Sequence, residues 1–120
     1  MKLLHGIDLE QIDRFDALIG KESFLQRIYT EKERNYILNH ARPAEKAAGM
    51  WAAKEAVSKA FGRGLYGMQP REIEVGHAPS GQPTITLLGS AAEQYGSCEI
   101  SLSISHSGGF VMASCVIMEA

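Results

Sequence analysis

The chain has 120 residues and 13.1 kDa, room for one domain spanning 1–120 and none for a second. Twelve basic against fourteen acidic residues give a formal charge of −2, which excludes a broad electrostatic funnel for nucleic acid. A composition of 45% hydrophobic and 22% charged residues excludes a disordered chain, and no signal segment or membrane-length apolar run is seen. A cytoplasmic protein without nucleic-acid or membrane partners is therefore expected.

Leu3 to Leu9 alternates as a strand, with Leu4, Gly6 and Asp8 on one face and Asp8 its single inward carboxylate. A short helical turn is expected between Asp13 and Gly20, and Thr30-Glu31-Lys32-Glu33 reads as a capping box opening a helix to about Asn39. Pro43 starts the strongest helix, Ala44 to Phe61, which Gly62 and Gly64 stop. Ile73–Val75 and Thr84–Leu87 are short strands joined through Pro79-Ser80-Gly81-Gln82-Pro83. Ser90 is placed to cap a short helix ending near Tyr95. Glu99–Ser105 and Phe110–Met118 then pair around Gly108-Gly109. That pairing sets Cys115 opposite Leu102, four residues from Cys98, so the two cysteines are read as reduced buried groups about 13 Å apart along a strand. The predicted class is α+β, a small antiparallel sheet packed against a long helix with short helices beside it.

On the long helix Ala48, Ala52, Glu55 and Lys59 share a face, small side chains followed by a carboxylate and an ammonium one turn apart. From spacing alone Glu55 and Lys59 read as a solvated helix pair. Asp8 shifts the balance, because a charge within an apolar strand needs a partner. Two readings stay open: a pairing with Arg14 or a nearby helix start, or, together with Glu55, a hard oxygen site of the kind Mg²⁺ completes with water and substrate phosphate. His106, where the last strands open into a glycine loop, reads either as a satisfied core residue or as a phosphate donor beside Ser107. Gly62-Arg63-Gly64-Leu65-Tyr66-Gly67 matches no phosphate loop.

Three stretches in this order resemble the holo-acyl-carrier-protein synthase family of 4'-phosphopantetheinyl transferases: Gly6-Ile7-Asp8-Leu9-Glu10-Gln11-Ile12-Asp13-Arg14, Trp51-Ala52-Ala53-Lys54-Glu55-Ala56-Val57-Ser58-Lys59-Ala60-Phe61-Gly62, and Ser103-Ile104-Ser105-His106. The resemblance implies transfer of 4'-phosphopantetheine from coenzyme A to a serine of apo acyl carrier protein, with release of adenosine 3',5'-bisphosphate, in fatty acid biosynthesis. It implies Asp8, Glu55 and Lys59 as the catalytic set, with Asp8 and Glu55 holding Mg²⁺, or Mn²⁺ in its place. Lys59, Gly62, His106 and Ser107 would bind coenzyme A, Arg14, Lys21 and Arg27 would dock the carrier, and the chain would form a homotrimer with sites at subunit clefts. The serine proton is left to metal-activated water or to Glu55. Met50 departs from the arginine many members carry before Trp51, so either another base such as Arg63 takes its place or coenzyme A binds less tightly. A non-catalytic coenzyme A or carrier-protein binding module is the alternative, and a metal-dependent phosphohydrolase a third reading.

Overall fold

The computed structural model describes residues 1–119, Tyr66 by its backbone alone. The first strand is longer than its sequence pattern, β1 running from Lys2 to Gln11. Its alternation is as read: Gly6 and Asp8 are buried, while Leu3, Ile7 and Leu9 face outward. β4 (Glu99–Ser107) and β5 (Phe110–Glu119) form the closing hairpin, turning through Gly108 and Gly109 at φ 59° and 84°, backbone that favours glycine. The sheet is antiparallel in the order β1-β5-β4, with Asp8 beside Ala113 and Ala113 beside Ile104. β2 (Ile73–His77) and β3 (Pro83–Leu87) form a separate two-stranded sheet. Cys115 lies opposite Leu102, and both cysteines are free thiols, as the strand register predicted.

The long helix, α4 (Pro43–Ala60), has Pro43 in its first turn and crosses the inner face of the larger sheet. Ala48, Ala52 and Ala56 are fully buried in that contact. At Gly6 the strand comes so close that a Cβ would run into the backbone carbonyl of Ala56. Around this frame stand α1 (Arg14–Leu18), α2 (Glu22–Ile28), α3 (Glu31–Leu38), α5 (Gly64–Gly67) and α6 (Gly89–Tyr95). α2 and α5 lie outside the sequence expectation. α2 is held by Phe24, Leu25 and Ile28, whose i, i+1, i+4 spacing is too short a run to read as a period.

Thr30 caps α3 as expected, its hydroxyl accepting from Glu33 N while Glu33 Oε1 accepts from Thr30 N at 2.8 Å. The expected cap at Ser90 is corrected: Ser90 lies inside α6. The Glu72 carboxylate from the preceding 3₁₀ turn accepts from Ser90 N at 3.0 Å and Ser90 Oγ at 2.9 Å. An external carboxylate serves an N-terminus as well as the residue's own hydroxyl does.

Glu33 also reaches across the core. Lys54 is wholly buried and donates to Glu33 Oε1 at 2.8 Å, Pro70 O at 2.7 Å and Ile73 O at 2.7 Å; Val75 N donates to Glu33 Oε2 at 2.7 Å. All three ammonium hydrogens are used, which offsets a burial that otherwise pushes the Lys54 pKa down. This network ties α3, α4 and β2 one residue before Glu55. Lys54→Met is expected to strand the Glu33 charge and cost about 3–5 kcal/mol, read as a lower urea midpoint at unchanged slope.

Candidate functional site at the junction of β1 and α4

Asp8 enters the interface from β1 because it shares the inward face with Gly6. Its Oδ1 accepts from Lys59 Nζ at 2.8 Å, and Lys59 also donates to Ile7 O at 3.2 Å. Its Oδ2 is buried without a partner, an orphan acceptor of the kind a cation or water satisfies. Glu55 stands one helical turn before Lys59, half-buried; burial first, then the charge of Asp8, pushes its carboxyl above the ordinary range. Two expectations are corrected here. Lys59 closes onto Asp8 rather than forming a solvated pair with Glu55, because the close strand brings a deeper carboxylate within reach. Arg14 does not meet Asp8; it binds Glu10 Oε1 at 2.9 Å.

Glu10 is a member of this group that sequence reading passed over, although its spacing from Asp8 puts both on one strand face. Burial, then the neighbouring Asp8 carboxylate, raises Glu10 to about 7. Among the described residues Asp8, Glu10 and Glu55 are set against Lys59 and Arg14, three formal negative charges against two positive. That excess and the orphan Oδ2 fit a divalent cation. Among the described residues no three His, Cys, Asp or Glu side chains converge tightly enough to cage an ion by themselves.

The remaining residues divide between two places. Arg27 joins Trp51, Glu55, Leu65 and Pro70 around an open cleft of about 480 Å³. Arg14 lies at the start of α1 and Lys21 at the cap of α2, both exposed. Gly62 ends α4 with φ 72° and open space around it. His106 is not a core residue: its side chain is 51% exposed, with Nε2 3.7 Å from Glu45 Oε2. It lines a second cleft of about 250 Å³ with Tyr36, Lys46, Met50 and His77; Ser107 is exposed at the end of β4. Glu45 and Glu55 are ten residues apart on α4, about 15 Å along its axis. One chain therefore does not bring His106 and Ser107 to Asp8. Arg63 lies beyond the end of α4 and bonds Gly67 O at 3.0 Å and Tyr95 OH at 3.0 Å, while Met50 is buried.

The family whose model matches residues 5–115 is the 4'-phosphopantetheinyl transferase superfamily. The chain belongs to it. A holo-acyl-carrier-protein synthase of Caldanaerobacter subterraneus is 38% identical over 117 residues, covering 94% of this chain and 92% of the relative. The crystal structure of the Neisseria meningitidis holo-acyl-carrier-protein synthase superposes with a TM-score of 0.85 at 31% identity, covering 97% of this chain and 98% of that one. The Bacillus anthracis synthase, solved in complex with coenzyme A (3',5'-ADP), gives 0.80 at 34% identity over 95% and 94% of the two chains. The family places the chain among transferases of this α+β fold.

The raised acid has a consequence for stability. Protonated Glu10 favours the folded state below its ordinary pKa of 4.5, and that contribution is lost as pH rises through about 7. Without divalent cations the melting temperature is expected to fall across that window, Glu10→Gln to flatten the fall, and Mg²⁺ to raise the melting temperature most at the alkaline end. A scanning-fluorimetry series over pH reads all three.

Proposed function

We propose that this chain, acting as one domain over 1–120, transfers 4'-phosphopantetheine from coenzyme A to a serine of apo acyl carrier protein and releases adenosine 3',5'-bisphosphate. The observation that carries the reading is the Asp8–Lys59 pair with an orphan Asp8 oxygen and the raised Glu55 beside it. Asp8 and Glu55 would hold Mg²⁺, or Mn²⁺. When bound, that cation supplies charge neutralisation on the non-bridging oxygens of the transferring phosphoryl group. Lys59, half-exposed and already aimed by Asp8, brings an ammonium to the same oxygens. The serine oxygen forms the new P–O bond as the bond to the nucleotide phosphate breaks, and its proton passes to Glu55, directly or through water. His106, Ser107 and Gly62 are the nucleotide-side contacts, and Arg14, Lys21 and Arg27 the carrier-side ones. Family-named relatives of nearly equal length support this reading, as does a structural neighbour described with coenzyme A.

Intact-mass spectrometry of apo acyl carrier protein with coenzyme A and Mg²⁺ tests it. One phosphopantetheine should be added per carrier, and Asp8→Ala or Glu55→Ala should each slow the reaction by at least about a hundredfold, a loss on the scale of one preorganised electrostatic group. Carrier left unmodified while coenzyme A binds would favour the non-catalytic module.

The same map supports a homotrimer. Leu3, Ile7, Leu9, Phe110, Met112, Val116 and Met118 are exposed on the sheet face opposite α4, around the hydrogen-bonded His5 and Ser114, a largely apolar surface that calls for a partner. A homotrimer covering it would set the His106 cleft of one subunit beside the Asp8 site of the next, joining the halves that one chain keeps apart. Val116→Glu is expected to give a monomer by light scattering and to abolish turnover. A dispersed chain that keeps full activity would count against the shared site.

A further inference from the structure

Arg14 is held on two sides. Its guanidinium carbon sits 5.0 Å from the Phe15 ring centre and 5.9 Å from that of Trp51, so the rings support the face of the planar group. Glu10 takes the inner edge: its Oε1 accepts from Arg14 Nη2 at 2.9 Å, and the Glu10 side chain is 14% exposed against 51% for Arg14. This is the single hydrogen bond that Arg14 makes among the described residues. Guanidinium carries five N–H donors in a rigid fork, so the outer edge retains room for a second carboxylate, in bidentate geometry.

We propose that Glu10 is a positioning residue for docking: it pins Arg14 from within, against Phe15 and Trp51, so that the free edge of the fork is presented as a preformed receptor for a carboxylate of the acidic carrier. A free arginine must give up rotamer entropy when it docks. Here the chain has met that cost in folding. The same arrangement places the docking point over Trp51, which lines the cleft that also holds Glu55, so a carrier anchored at Arg14 is anchored at the mouth of the reaction site. The inference rests on the docking role of Arg14 proposed above.

Trp51 is the single tryptophan of the chain, and its emission reports docking without turnover. Titration of the full-length protein with a tryptophan-free apo acyl carrier protein at low ionic strength gives the affinity; mass gain gives kcat and both KM values. Glu10→Gln is expected to weaken carrier affinity, read from Trp51 emission without turnover, about two- to fivefold and to raise the carrier KM in step, the scale of one partly exposed ion pair. In an Arg14→Ala background, itself weaker than wild type, the same change should add nothing. Tighter carrier binding by Glu10→Gln would make Glu10 a competitor and overturn the proposal. An unchanged affinity, or an equal loss in the Arg14→Ala background, would overturn it too. Wild-type affinity in Arg14→Ala alone would instead remove the docking role of Arg14, and this inference with it.

Discussion

The near-contact of β1 with α4 is the constraint on which the site depends. Gly6 offers no Cβ, and the helix meets it with Ala56 and Ala60, so backbone packs on backbone. Dispersion across so close a contact is favourable, but the larger effect is positional. Asp8, two residues along the strand, is carried under the helix to a depth where Lys59 reaches it and Glu55 feels its charge. Larger residues at these points would lift the strand, and the three charged groups would separate into solvent, where each would be an ordinary surface residue.

Charge is concentrated there against its own electrostatics. Three carboxylates share two cations, and two of the acids respond by rising toward protonation. A buried oxygen without a donor adds to the cost. Such tension has to be supported by neighbouring structure, and the Lys54–Glu33 network gives that support one residue from Glu55, with all three donors of the ammonium satisfied. The contrast is instructive. Two lysine–carboxylate contacts occur on one helix, the Lys54–Glu33 pair buried and fully bonded, the Lys59–Asp8 pair half-exposed on the lysine side and left with an unpartnered Asp8 oxygen.

The fold also sets apart the two groups of residues proposed above to act together. α4 spans the distance between the two clefts, with Glu45 and His106 at its start and Glu55 and Lys59 near its end. Its rigidity prevents one chain from closing the gap. The apolar outer face of the sheet and the divided site are therefore two expressions of one arrangement, in which association would bury the surface and complete the chemistry.

Local pattern determined much of this protein. The period-two alternation set Asp8 inward, the Thr30–Glu33 box started α3, Pro43 and Gly62 bounded the long helix, and glycines turned the last hairpin. The three motif stretches carried the family. These are short-range signals, legible because each depends on residues within a few positions of one another. Tertiary structure decided the partners. That Lys59 takes Asp8 instead of Glu55, that Arg14 takes Glu10, that Glu72 caps α6, and that Lys54 lies buried between Glu33 and two carbonyls all involve choices among charges at similar reach. Burial settles such choices, because the strength of an ion pair depends on how much water is removed around it, and that is a property of the packed fold rather than of spacing along the chain.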